Sequence, residues 1–232
     1  MWFTGMPAQF TLFGFRLATF PCLMALFLAT GLFFCYMGGQ IAIMVTDFIQ
    51  GVFCNLAFII LIAFIAVYFT WDQIFAALIT NAAPGASMVN PLQTMKTEDF
   101  SPWYFITLAI GSFYGAMAWQ GSQGYNAAAR SPHEARMASV LGQLRSLAGI
   151  LLMFLVPVCA FTVMHHADFK PLADDVTASL QQIQGANPGA TDELRRQATV
   201  LLVLTKLLPV GCMGLFAAVL LAAMISTDDT YL

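Results

Sequence analysis

Long uncharged apolar runs, separated by shorter polar stretches, dominate this chain. No charged residue falls between Arg16 and Asp47, and the apolar body of that stretch covers about 19–37. A second run, about 48–71, lies between Asp47 and Asp72. A third, about 102–120, sits in the uncharged stretch from Asp99 to Arg130. The fourth, about 146–164, follows Arg145 and ends at His165-His166; the fifth, about 207–227, follows Lys206 and ends at Asp228-Asp229. A membrane-crossing helix needs roughly 20 predominantly apolar residues, so each run is long enough to cross. None alternates at period two, the pattern of a membrane barrel strand. The pattern predicts an all-α integral membrane protein with about five transmembrane helices in a single domain.

The connections differ in kind. Gly38-Gly39 and the short 40–47 segment join the first two runs tightly. The stretch 72–101 reads as a longer polar loop with Asn81, Pro84, Gly85 and Pro91. The stretch 165–206 is longer again and is expected to be partly helical. Within it Asn187-Pro188-Gly189 predicts a turn, and Thr191-Asp192-Glu193 predicts a helix start, with a capping hydroxyl and acids in the first turn. Pro157, inside the fourth run, predicts a kink and a freed carbonyl.

Composition strengthens the membrane reading. Apolar residues make up 59% of the 232 and charged residues 9%, against roughly 25% charged in a soluble domain. That much apolar surface must meet lipid. A formal charge of −3 leaves no basic field for phosphates and argues against a nucleic-acid partner. The five cysteines, Cys22, Cys35, Cys54, Cys159 and Cys212, lie in or beside apolar runs without metal-ligand spacing and read as packing residues. The first residues lack the basic segment of a secretory signal. Arg130, Arg136 and Arg145 lie on one side if the spans alternate; Arg16, Lys96, Lys170, Arg195, Arg196 and Lys206 lie on the other. Charge alone leaves orientation open.

Chemistry has few places to sit. No ionisable residue falls in the middle of a run, which argues against a proton relay or a voltage sensor. No catalytic triad or metal-ligand set is visible, so no enzyme is expected, and His165-His166 reads as an interfacial pair. The informative residues are small and polar. Ala223, Ser226 and Thr227 stand at i, i+3 and i+4, on one helix face. Two hydroxyls and a backbone carbonyl make half of an oxygen-only site suited to sodium. Alternatively, both hydroxyls bond back to carbonyls one turn earlier. The third run offers Ser112, Tyr114, Trp119, Gln120 and, beyond it, Gln123, which could stack on and hydrogen-bond a polar solute or form an interfacial aromatic belt.

Three stretches match one family in order and spacing. Gly38-Gly39 … Thr46-Asp47-x-x-Gln50 resembles a Gly-Gly … Thr-Asp-x-x-Gln hairpin between two helices. Ala128-Ala129-Arg130-Ser131 … Glu134-Ala135 resembles an Ala-Ala-Lys-Ser … Glu-Ala loop. Leu208-Pro209-Val210-Gly211 … Gly214-Leu215 … Ala222-Ala223-Met224-Ile225-Ser226-Thr227 resembles a Pro-x-Gly … Gly-Leu … Ala-Ala-x-Met-Ser-Thr helix. Together they resemble the sodium/solute symporters, which include the sodium/glucose and sodium/proline carriers. The resemblance covers nearly the whole chain.

The resemblance implies an inverted repeat of five plus five helices, with these spans at core helices four to eight. It implies a cytoplasmic 38–47 turn, a cytoplasmic 121–145 loop and external loops at 72–101 and 165–206. It also implies that Ala223, Ser226 and Thr227 ligate sodium as the coupling ion, with no other cofactor. Ser112 and Ser146 fall where some members contact solute, and with Tyr114 and Gln120 they form the candidate substrate side. The family often reads Trp-x-x-Asn-Gln-x-x-x-Gln-Arg before the second motif; this chain has Trp119-Gln120 and Gly124-Tyr125 there. The implied function is sodium-coupled symport of a small polar organic solute, such as a sugar or amino acid, by a multi-pass protein of the cell membrane. By the same resemblance the first and tenth core helices belong to the remainder of the transporter chain, so the 232 residues alone are expected neither to bind sodium tightly nor to transport. The alternatives are a symporter-like input domain of a sensory protein and a ligand-free membrane scaffold. Solute, stoichiometry and oligomeric state are left open.

Overall fold

A computed structural model describes residues 7–12, 14–82, 84, 87–90, 101–118, 120–186 and 192–231. Most of these are helical. The chain divides into two compact units, residues 1–61 with 208–232, and residues 62–207.

The first unit opens with an antiparallel hairpin of β1 (Gln9–Leu12) and β2 (Phe15–Ala18). Gly14 turns it with φ 84°, a left-handed value that suits glycine. The all-α expectation missed this hairpin. Buried Thr19 follows, its hydroxyl donating to the Pro7 carbonyl at 2.5 Å and its amide to the Ala8 carbonyl at 3.0 Å.

Helix α1 (Thr19–Tyr68) takes up both of the first two apolar runs and passes into the second unit after Leu61. At 1.5 Å per residue, its 50 residues would measure on the order of 75 Å, more than twice a bilayer core of roughly 30 Å. Gly39 breaks it, with φ 56° and ψ −156°, a region essentially reserved for glycine. At Gly38 a Cβ would overlap the Cβ of Ala42. The expected 38–47 turn is therefore much shorter: Gly39 alone leaves helical geometry and residues 40–47 are helical. Gln40-Ile41-Ala42-Ile43-Met44-Val45 contains no helix breaker, and in an apolar medium a helix satisfies its own backbone. Helix α8 (Val210–Tyr231) completes this unit, beginning just after Pro209, whose carbonyl accepts from the Met213 amide at 2.9 Å.

The second unit is built around α5 (Pro132–His165), which packs against α2 (Trp71–Thr80), α6 (Lys170–Ala186) and α7 (Asp192–Leu207). Thr162 and Val163 on α5, Val176 on α6 and Val203 on α7 are its most deeply buried side chains. The Thr162 hydroxyl donates to the Val158 carbonyl at 2.9 Å, so its burial leaves no unmet donor. The helix runs on through Pro157. Helices α6 and α7 fill most of the stretch expected to be a partly helical loop, and they bury Val176, Leu180, Ala198, Val203, Leu204 and Leu207.

Helix α5 starts well before the predicted fourth run. Ser131 caps it by accepting from the Glu134 amide at 3.2 Å, Pro132 occupies the first turn, and the Glu134 carboxylate accepts from the Arg130 amide at 3.2 Å. Helix α2 forms where a loop was expected, because Thr70 and Gln73 make a capping box. Gln73 also donates to Asp168 at 2.9 Å, tying α2 to the short 3-10 turn Ala167–Phe169. Phe169 of that turn packs against Tyr68 and Phe69, with ring centroids 6.0 and 5.1 Å apart. Of the expected 72–101 loop, positions 83, 85–86 and 91–100 lie outside the described residues.

Among the described residues, three helices are long and apolar enough to cross a membrane: α1, α5 and residues Val210–Thr227 of α8. Helix α3 (Pro102–Ala118) is apolar but has 17 residues, and Trp119 lies outside the described residues. Helix α4 (Gln120–Ala128) follows.

Candidate functional site

The three expected sodium ligands lie where the pattern put them, along one face of α8. Thr227 donates its hydroxyl proton to the Ala223 carbonyl at 2.8 Å. This is the ordinary back-bond of a helical threonine, made also by Thr30, Thr162 and Thr199. A back-bonded hydroxyl still offers oxygen lone pairs, whereas the Ala223 carbonyl accepts from both the helical amide and the hydroxyl of Thr227. Ala223 and Thr227 are exposed, and Ser226 is half-buried.

Ser226 reaches out of its helix. Its hydroxyl donates to Asp47 Oδ1 at 2.5 Å, joining positions 179 apart in sequence. Asp47 lies on α1, eight residues beyond the Gly39 break, and is half-buried. The expectation that Asp47 bounds a span at a turn is corrected here: the carboxylate sits inside a helix. In an apolar helix an ionisable side chain is costly and needs a partner, and Ser226 supplies one.

The residues around Asp47 are acceptor-rich. Thr46 donates back to the carbonyls of Ala42 and Ile43 at 3.0 and 2.9 Å. Gln50, one turn on and on the same face as Asp47, holds a buried Oε1 with no hydrogen-bond partner. A buried acceptor without a donor costs about 1–3 kcal/mol; a water, a donor or a cation would relieve it. Hydroxyl, carbonyl and carboxylate oxygens are the ligands that hard cations take.

The solute-side candidates are not gathered in this way. Ser112 and Tyr114 are exposed on α3, where Tyr114 meets Phe113 edge-on, with ring centroids 6.1 Å apart. Gln120 begins α4, and its side chain lies outside the described residues. Ser146, exposed on α5, donates to the Gln143 carbonyl at 2.8 Å. No hydrogen bond joins Ser112, Tyr114 and Ser146. His165 stacks on Phe161 at 4.0 Å, and His166 caps the 3-10 turn by accepting from the Asp168 amide. Among the described residues no group of three or more His, Cys, Asp and Glu side chains converges.

No family model, curated protein or solved structure matches the chain.

Proposed function

We propose that the chain is the central part of a sodium-coupled symporter of a small polar organic solute in the cell membrane. The observation that supports this most is the Ser226–Asp47 hydrogen bond, which joins two of the three motifs that resemble the symporter family. On this reading Ala223, Ser226 and Thr227 supply α8's share of the sodium shell, and the rest of the transporter chain supplies the remainder. Helix α1 crosses twice about Gly39; with α3, α5 and α8 that makes five crossings of an inverted-repeat bundle. Solute binds against α3, near Ser112, Tyr114 and Gln120, with Ser146 on α5. Sodium stabilises the state that takes up solute, and the bundle then rocks to release both on the other side.

The test uses the complete protein in liposomes and a panel of labelled sugars and amino acids. For a transported solute, Thr227→Ala raises the sodium concentration for half-maximal uptake about tenfold, the equivalent of one lost ligand at roughly 1.4 kcal/mol. A Thr227→Ala protein with unchanged sodium dependence overturns the assignment of this site.

A further inference from the structure

We propose that His166 is a proton-operated switch at the point where α5, the 3-10 turn and α2 meet. This goes beyond the sodium reading and does not depend on it. The His166 amide donates to the Thr162 carbonyl at 2.9 Å and closes α5; the His166 carbonyl accepts from the Phe169 amide at 3.2 Å and opens the turn. Its Nδ1 accepts from the Asp168 amide at 3.3 Å. Only an unprotonated nitrogen accepts a hydrogen bond, so this cap belongs to the neutral imidazole and is lost when the ring takes a second proton. Neighbouring His165 supplies the contrast. Its Nδ1 faces the Phe161 carbonyl at 2.9 Å, which requires an N–H there, and a second proton on Nε2 leaves that bond in place. The two adjacent histidines hold opposite tautomers, and only His166 must change partner on protonation.

The new partner is already at hand. Asp168 Oδ2 lies 3.6 Å from His166 Nδ1, and a protonated Nδ1 donates to it. That oxygen already accepts from Gln73 Nε2 at 2.9 Å. The Oε1 of the same Gln73 amide accepts from the Thr70 amide at 3.1 Å and completes the capping box of α2. Protonation therefore uncaps the turn and sets a charged donor in competition with Gln73 for one carboxylate oxygen, which loosens the start of α2. The turn also carries Phe169, packed on Tyr68 and Phe69 at the end of α1, so the change reaches three helices. The other ionisable groups where these elements meet are Asp72 on α2, His165, Lys170, Asp174 and Asp175 on α6, and Lys206 on α7, all exposed. Among the described residues only Asp168 pairs with His166. The His166 side chain is 20% exposed, so protons reach it.

The experiment uses the complete protein in nanodiscs, labelled with nitrogen-15 at histidine, from pH 8 to pH 5, the range in which histidine changes charge. At pH 8 the Nδ1 of His166 is expected to resonate as unprotonated and that of His165 as protonated, assigned with His165→Gln and His166→Asn. Hydrogen exchange, read at single residues and taken relative to the unfolded chain at the same pH, reports the switch. From pH 8 to pH 5 it rises about threefold at the Asp168 and Thr70 amides, the size an exposed ion pair supports. In His166→Asn the side-chain oxygen caps the turn at either pH, and the rise disappears at both amides. Asp168→Asn leaves no charge to draw the ring; it keeps the rise at the amide of position 168, loses it at Thr70, and carries the test if His166→Asn does not fold. A His166 Nδ1 already protonated at pH 8, exchange unchanged by pH in the wild type, or a pH response that survives in His166→Asn overturns the proposal. So does a rise at Thr70 that persists in Asp168→Asn.

Discussion

Ser226 and Thr227 are neighbours whose hydroxyl protons go to different places, one to a carboxylate on α1 and one to a carbonyl in their own helix. The difference separates two kinds of residue that spacing alone groups together. In the proposed sodium site Thr227 would contribute an oxygen held by local geometry, so a serine in its place should serve nearly as well. Thr227→Ser is expected to leave the sodium concentration for half-maximal uptake within about twofold of wild type, since serine makes the same back-bond; a shift as large as that of Thr227→Ala would mean that the methyl group matters more than the hydroxyl. The i, i+3, i+4 arrangement of Ala223, Ser226 and Thr227 was legible in sequence because it depends on helical period alone. The contact of Asp47 with Ser226 was not. A charge at the edge of an apolar run reads as a boundary, and its partner lies 179 positions away. Gln50 enters the sequence pattern as a motif letter, although an amide one turn from a carboxylate marks out that face.

Element boundaries follow from capping and breaking chemistry more than from hydropathy. Ser131 and Glu134, letters of the loop motif in sequence, close the N-terminus of α5 with hydrogen bonds. Ser131→Ala should therefore destabilise the protein by about 1 kcal/mol, seen as a lower melting temperature in detergent; an unchanged melting temperature would mean that the cap does not contribute. Gly39 is a different case. Its φ and ψ lie where a side chain is strained by roughly 1–3 kcal/mol, so Gly39→Ala should also lower the melting temperature. A variant as stable as wild type would show that α1 does not break there. The Gly38-Gly39 pair was visible in sequence, but the length of the turn was not, since nothing between Gln40 and Val45 prevents the helix from resuming at once. The β1–β2 hairpin had its own signal in the alternation of Phe10 and Leu12, then Phe15 and Leu17, about Gly14. That signal was outweighed by the apolar composition around it.

At the scale of the molecule, two units each carry a share of the reading. Residues 62–207 hold a packed core of α2, α5, α6 and α7, whose amphipathic helices bury one face against α5. Residues 1–61 with 208–232 hold the Gly39 break and the Asp47–Ser226 pair. Large apolar side chains such as Phe48, Ile49 and Leu220 in one unit, and Phe113 and Phe154 in the other, remain exposed. Exposure on this scale suits a lipid surround and not water. The helical, membrane-compatible character was legible because it depends on the amount and continuity of apolar sequence. Which face of each helix turns to a neighbour was not, because helices that are apolar all round carry little periodic signal. Sodium-coupled symport is tested most directly by solute accumulation in liposomes containing the complete protein under an imposed inward sodium gradient. It predicts that a transported sugar or amino acid rises above its external concentration and that the rise disappears when choline replaces sodium. Accumulation or uptake of equal size in choline would contradict it.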